Sequence, residues 1–211
     1  MAIILFDFDG VLADTLDDML NFARTACDQL GLPRNPTPAD LDALETMSFV
    51  EYGRQLNLPP EHIEEFVSRC LEMFEQRTQS PKIFNGMAQV VTQAAENHTL
   101  GIITGNTSQT VGKFLVENQL RNCIQIVIGV EQPGSKPEKI KRALQELTQP
   151  ASQACMIGDA ASDIRAARQA SIQSIAVGWG HQGIERLKAA NPDYLVKTPW
   201  ELQRLLISFS K

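Results

Sequence analysis

Apolar residues along the chain recur with two different spacings, and these spacings predict the elements of the fold. From residue 86 onward, short apolar runs typical of buried strands alternate with amphipathic stretches typical of helices. Strands are expected near 99–103, 125–128, 155–157, 174–177 and 194–196, and helices near 87–97, 110–118, 137–147, 163–170, 184–190 and 199–208. This alternation predicts an α/β fold with a doubly wound, mostly parallel sheet and right-handed crossovers.

A further strand is expected at the amino end, where Asp7 interrupts the apolar run Ala2–Phe6. Between residues 14 and 80 the pattern is instead helical throughout. Helices are expected from Asp14 or Thr15 to Leu30, over 39–44 and 49–56, and from Pro59 onward. The chain therefore predicts a Rossmann-like α/β core of residues 1–13 and 81–211, and an all-helical lid or cap, residues 14–80, inserted after the first strand.

Polar side chains follow four of the predicted strands at the point where each strand ends. In chain order they are Asp7 and Asp9, then Thr104-Gly105-Asn106, then Lys136, and finally Asp159 and Asp163. The carboxyl ends of parallel strands meet at one edge of the sheet, where open α/β folds bind ligands, so these groups are expected to converge. Taken singly, each has a plain explanation as a turn residue, a solvated surface charge or a helix start. Together they favour a site.

Composition narrows the class of protein. The chain has 211 residues, of which 43% are hydrophobic and 21% charged, as in soluble globular proteins. Its net charge of −6 argues against binding to a nucleic-acid backbone, and neither a membrane span nor a signal peptide is evident. Cysteines and histidines are too dispersed for a disulfide framework or a zinc site. Buried free thiols, surface or partly buried histidines and a cytoplasmic location are therefore expected.

The four segments in combination resemble the sequence motifs of the haloacid dehalogenase superfamily, specifically its phosphatase branch. The stretch from Asp7 to Thr15 is similar to the phosphoglycolate phosphatase and β-phosphoglucomutase neighbourhood. Members of the family often carry a helical cap at the position of the predicted insertion. The resemblance implies a nucleophilic Asp7, an acid/base Asp9, phosphate binding by Thr104 and Lys136, and a Mg²⁺ ion held by the following residues: Asp7, Asp9, Asp159 and Asp163.

The chemistry of such a site can be stated residue by residue. Attack by Asp7 on a phosphate would give an aspartyl phosphate, while Asp9 would protonate the leaving oxygen and later take a proton from water. The turn through Gly105-Asn106 offers backbone N–H groups to a phosphate oxygen. Magnesium is expected on the carboxylates of Asp7 and Asp159 and the backbone carbonyl of Asp9, with Asp163 acting through a water molecule or behind these ligands.

The leading interpretation is a phosphatase of a small phosphorylated metabolite, with phosphoglycolate as the best single guess. Other interpretations stay open. A dehalogenase pattern lacks the second aspartate, and a phosphonatase also departs at that position. A β-phosphoglucomutase-like isomerase usually has Glu before the last Asp, where this chain has Gly158-Asp159. A receiver-like phospho-aspartate module is shorter and has no helical insertion.

The cap is expected to select the substrate by closing over the site. The loop of residues 45–48, together with Tyr52 and Arg54, mixes apolar and hydrogen-bonding groups and is the predicted contact with the leaving group. Arg54 would pair with a substrate carboxylate there, although a solvated helix-surface arginine is the simpler alternative.

Overall fold

A six-stranded sheet forms the centre of the fold, in a computed structural model that describes residues 1–77, 79–148 and 150–209. The strands are β1 (Ile3–Phe6), β2 (Ala13–Asp14), β3 (Lys82–Ile83), β4 (Thr99–Ile103), β5 (Ile126–Ile128), β6 (Ala154–Gly158), β7 (Gln173–Val177) and β8 (Tyr194–Val196). The α-helices are α1 (Leu16–Gln29), α2 (Pro38–Asp42), α3 (Phe49–Gln55), α4 (Ile63–Glu75), α5 (Met87–Ala95), α6 (Ser108–Glu117), α7 (Lys136–Glu146), α8 (Ala161–Gln169), α9 (Ile184–Ala189) and α10 (Pro199–Ser208). Short 3₁₀ turns occupy Pro60–His62, Arg121–Cys123 and Ala151–Gln153.

All pairings in the large sheet are parallel, and the strand order is β5-β4-β1-β6-β7-β8. The central strand β1 consists of four fully buried apolar residues, because helices cover the sheet on both sides. Its residue Leu5 lies opposite Gly101 of β4 and Met156 of β6. The predicted α/β fold class is confirmed.

Alternate residues of β1 feed two separate apolar clusters. Ile4 and Phe6 pack with α5, α6 and α10 on one face, where the ring of Phe8 meets that of Phe114 edge-on at 4.9 Å. Ile3 and Leu5 pack with α7 and α8 on the other face. This two-sided burial follows from the period of two along a strand, and it holds the carboxyl end of β1 rigidly.

Helices α1 to α4 form an insertion with its own apolar cluster, which includes the fully buried Tyr52 and Phe66. At its base, β2 and β3 pair antiparallel, with Ala13 opposite Ile83. Sequence analysis did not predict this ribbon, because two residues per strand are too few to show a period. The division of the chain into 1–13 plus 81–211 and 14–80 remains a prediction.

The insertion contacts the sheet-bearing part of the molecule through the loop between α2 and α3. The carboxylate of Glu45 pairs with Arg165 of α8 at 3.2 Å and with Arg186 of α9 at 2.7 Å. Gln182 Nε2 donates to the carbonyl of Leu44 at 2.8 Å. The loop that was expected to contact a substrate therefore also docks the insertion.

Several helices begin earlier than their apolar pattern indicates, because capping decides the first turn. Helix α6 starts at Ser108, since Thr107 Oγ1 accepts a hydrogen bond from the N–H of Thr110. Helix α8 starts at Ala161, since Asp163 Oδ2 accepts from the N–H of Ala160 at 3.2 Å. Within the described ranges, no helix has the length and apolar character needed to cross a bilayer.

Candidate active site

Three carboxylates and one lysine meet at the carboxyl edge of the sheet. Asp7 follows β1, Asp159 follows β6, and Asp163 is the third residue of α8. One oxygen of each lies within 4.8 Å of the others. Lys136, the first residue of α7, places Nζ 2.7 Å from Asp7 Oδ2 and 2.5 Å from Asp163 Oδ1. Predicted site residues from three distant segments are thus in contact.

Glycine backbones allow these carboxylates to lie directly against the main chain. A Cβ atom at Gly158 would lie 2.3 Å from Asp163 Cβ, and one at Gly180 would lie 2.3 Å from Asp159 Cβ. Gly10 adopts φ +72° and would bring a Cβ 2.0 Å from Asp159 Oδ2. Each of these three positions requires glycine because a side chain would displace a carboxylate.

Asp9 occupies a different part of the site from the three clustered carboxylates. Its Oδ2 accepts a hydrogen bond from Asn106 Nδ2 at 2.9 Å, whereas Oδ1 is buried and has no hydrogen-bond partner in the described part of the chain. Thr104 is buried, and its Oγ1 accepts from the N–H of Asn106 at 2.9 Å; Gly105 is exposed. The Asn106 N–H was expected to face a phosphate oxygen, but it is bonded to Thr104 instead. The side chain of Asn106 is the part that reaches the site.

His181 is the main residue that sequence analysis missed. It was expected at the surface or partly buried, but it is only 7% exposed. Its Nδ1 lies 3.1 Å from Asp159 Oδ2, its backbone N–H donates to the same oxygen at 2.7 Å, and its Nε2 lies 3.2 Å from Thr15 Oγ1. The one sequence signal was its position in the loop after β7, at the same sheet edge as the other site residues.

This contact sets the charge state of both partners. Burial raises the pKa of Asp159, but the contacts with His181 outweigh burial and hold that pKa below its ordinary value. Burial lowers the pKa of His181, but Asp159 raises it to about 9. Asp159 is thus an ionised carboxylate whose position is held by one histidine.

The pKa values of the remaining carboxyl groups are shifted in the opposite direction, above their ordinary values. Burial raises the pKa of Asp7, Asp9 and Asp163, to about 7 for Asp163, even though Lys136 lowers those of Asp7 and Asp163. Burial also lowers the pKa of Lys136, but its two carboxylate partners outweigh that effect and raise it above its ordinary value. Lys136 is therefore a fixed cation, and Asp9 has the raised pKa that a general acid needs.

The donor set fits a hard divalent cation such as Mg²⁺. The cluster supplies three carboxylate oxygens, the ligand type that Mg²⁺ prefers. Lys136 and His181 supply two positive charges, fewer than the four carboxyl groups of Asp7, Asp9, Asp159 and Asp163 at this edge, and within the described residues Asp9 Oδ1 is buried without a partner. A cation bound here would offset this excess of negative charge.

Fold and site together define a doubly wound α/β protein with a carboxylate-rich ligand-binding edge. The profile of the family described as "Haloacid dehalogenase-like hydrolase" matches residues 4–177. The chain therefore belongs to the haloacid dehalogenase-like hydrolases. The prediction of this family, and of a phosphatase-like hydrolase within it, is confirmed.

Curated relatives align along almost the whole chain. A phosphoglycolate phosphatase of Synechococcus elongatus is 30% identical over 96% of this chain and 95% of its own length. A pyrophosphatase, PpaX, of Listeria monocytogenes is 27% identical over 92% of this chain and 91% of its own length. The relatives thus cover both the sheet and the insertion.

Solved structures share the fold at lower sequence identity. A haloacid dehalogenase-like hydrolase from Streptococcus pneumoniae superposes with a TM-score of 0.85 at 21% identity, covering 97% of this chain and 98% of that one. A hydrolase from Pseudomonas syringae gives a TM-score of 0.79 at 20% identity and covers 99% of each chain. These likenesses support the fold, including the helical insertion.

Proposed function

We propose that this protein is a magnesium-dependent phosphatase that hydrolyses a small phosphomonoester through an aspartyl phosphate on Asp7. The observation that carries the proposal is the contact of Lys136 Nζ with the Asp7 carboxylate at 2.7 Å, beside Asp159 and Asp163. A carboxylate nucleophile and a phosphate dianion repel each other, so a nearby cation is needed for attack. The lysine supplies this positive charge.

The steps follow from the positions of the side chains. An Asp7 oxygen attacks phosphorus and the bond to the leaving oxygen breaks, while Asp9 donates its proton to that oxygen. Water then attacks the phosphorus of the aspartyl phosphate, Asp9 takes the proton, and inorganic phosphate leaves as Asp7 is restored. Thr104 and Lys136 hold the phosphate oxygens, together with the N–H of Gly105 and the side-chain amide of Asn106.

Mg²⁺, when bound to Asp7 and Asp159 and to the backbone carbonyl of Asp9, would neutralise charge on the phosphate. Asp163 bonds Lys136 at 2.5 Å and so serves mainly to orient that lysine, with at most a water-mediated contact to the metal. His181 holds Asp159 in its ligand position.

Residues 14–80 act in this proposal as the cap over the site, on a core of residues 1–13 and 81–211. The contacts of Glu45 with Arg165 and Arg186 support a closed arrangement. Phosphoglycolate is the proposed substrate, because the phosphoglycolate phosphatase of S. elongatus aligns with 96% of this chain over 95% of its own length. Pyrophosphate is the second candidate, on the strength of the PpaX relatives. Both are soluble metabolites, in agreement with a cytoplasmic enzyme that carries free thiols.

A metabolite panel tests this proposal. Phosphate release from phosphorylated metabolites and pyrophosphate is measured with MgCl₂ and with excess chelator, for the wild type and for Asp7→Asn. Turnover is expected only in the wild type with magnesium. Borohydride reduction of quenched reactions would convert a phosphorylated Asp7 to homoserine, which peptide mass spectrometry detects. Full turnover in chelator, or a reduced residue elsewhere, would overturn the mechanism.

A further inference from the structure

Arg77 has a buried guanidinium that donates no hydrogen bond to any residue in the described part of the chain. It follows α4, where the chain returns from the insertion towards the sheet, and its side chain is 11% exposed. Nε, Nη1 and Nη2 are all buried and have no hydrogen-bond partner among the described residues. A guanidinium carries five N–H donors, and leaving them unpaired in the interior is costly. Such a group requires an explanation.

The surroundings of Arg77 orient the guanidinium without satisfying its donors. Its Cζ lies 5.5 Å from the ring centroid of Phe22 and 4.8 Å from that of Phe74. Nη2 lies 2.9 Å from Asp18 Oδ2, within ion-pair distance but without hydrogen-bond geometry. Two aromatic rings and one carboxylate therefore hold the plane of the fork, and none of them accepts a hydrogen bond from its donors.

Arg77 is linked to the site through the start of α1. Asp18 belongs to the first turn of α1, which begins directly after Thr15, the residue that contacts His181. Burial raises the pKa of Asp9, and the charge of Arg77 is among the effects that lower it. Arg77 is thus tied by Asp18 to the first turn of α1, next to the Thr15–His181 contact at the edge of the site.

We propose that Arg77 binds an anionic group on the leaving portion of the substrate, a carboxylate or a second phosphate. This rests on the proposed phosphatase function and defines its substrate class: phosphate esters and anhydrides whose leaving group carries a negative charge. Guanidinium forks bind both anions with paired hydrogen bonds. The names of the relatives agree with this shared chemistry, because glycolate and phosphate are the leaving groups of phosphoglycolate and pyrophosphate.

The alternative is that Arg77 only braces the base of the insertion between Phe22 and Phe74. A brace would affect every substrate alike, whereas a binding group affects only substrates that carry the second charge. Phosphoglycolate and ethyl phosphate form a suitable pair, because both place two carbons on the ester oxygen and only the first carries a carboxylate. Pyrophosphate supplies the second phosphate in place of the carboxylate.

The test compares kcat/KM for these three substrates with MgCl₂ present. Arg77→Gln is expected to lower the value for phosphoglycolate or pyrophosphate by about 10–100-fold and that for ethyl phosphate by less than about threefold. Arg77→Lys is expected to recover part of the loss, since it keeps the charge but not the fork. The preferred anion, carboxylate or phosphate, is the one whose hydrolysis falls further.

The matched control is Arg69→Gln, which removes an arginine on α4 that is bound to Glu65 and Gln29. It should leave all three substrates unchanged. Equal losses for charged and neutral substrates in Arg77→Gln would overturn the proposal and leave the phosphatase function standing. If neither Arg77 variant folds, a wild type that hydrolyses ethyl phosphate as well as both charged substrates overturns it instead. A wild type that hydrolyses none of the three overturns the proposed function itself.

Discussion

Lys136→Met removes a lysine that contacts two of the clustered carboxylates, and it gives the sharpest test of the site. In the wild type Nζ lies 2.7 Å from Asp7 and 2.5 Å from Asp163, and the side chain is 25% exposed. Methionine keeps much of the apolar stem of lysine, so packing is little changed while the charge is lost. The variant therefore isolates the electrostatic contribution.

The magnitude follows from the spacing of the carboxylates. Two unit charges 4.8 Å apart repel by about 3.5 kcal/mol at an effective dielectric constant near 20. Removing one partner of a buried ion pair typically costs about 3–5 kcal/mol. Because the carboxyl groups can take up a proton instead, we expect a loss of about 3 kcal/mol in the free energy of unfolding near pH 8 without metal.

The loss should depend on pH with a definite sign. Burial raises the pKa of Asp163 to about 7 although Lys136 lowers it, so removing Lys136 raises that pKa further. A carboxyl group with a raised folded-state pKa is most favourable to folding below its unfolded pKa, and stability falls as pH rises towards the folded pKa. In the wild type the decrease in stability ends near pH 7, the folded-state pKa of Asp163. In Lys136→Met the decrease continues to higher pH. The raised pKa of Lys136 lies above this window, so its own titration adds nothing there.

Urea unfolding in chelator, at about pH 5, 7 and 9, measures the difference between wild type and Lys136→Met. The gap should be small at the lowest pH and widen above about pH 7. Added Mg²⁺ should narrow it, and kcat/KM with Mg²⁺ should still fall by ~10²-fold. Equal urea midpoints at all three pH values, with unchanged slopes, would refute the assignment of Lys136 as the counter-ion of this cluster.

Three further predictions concern the nucleophile, the packing and the metal. Asp9→Asn should lose turnover but still form a beryllofluoride adduct on Asp7, seen by mass spectrometry or crystallography. An adduct on Asp159 would refute the assignment of Asp7 as the nucleophile. Gly180→Ala should lower Mg²⁺ affinity at least ~10-fold by calorimetry, because its Cβ would displace Asp159, whereas Gly112→Ala, which meets no atom within 4 Å, should not. Millimolar Mg²⁺ should raise the Tm of the wild type, and no rise would argue against the metal site.

The sheet and the convergence of its polar residues were readable from the sequence. Buried parallel strands leave continuous apolar runs, and parallel pairing brings their carboxyl ends to one edge whatever the details of the loops. For that reason the sequence alone assigns Asp7, Lys136, Asp159 and Asp163 to one edge of the sheet, where the structure places them in contact.

Side chains outside the strand ends were decided only by the tertiary structure. Tyr52, expected at the substrate, is buried in the apolar cluster of the insertion, and Arg54 of the same helix is exposed. Arg77, by contrast, is buried between aromatic rings of the insertion, and His181 reaches Asp159 across 22 residues of chain. Periodicity along one element indicates which residues face inward. The contacts of side chains outside the strands depend instead on the paths of loops and on how the insertion packs against the sheet. Neither leaves a repeating pattern in the sequence.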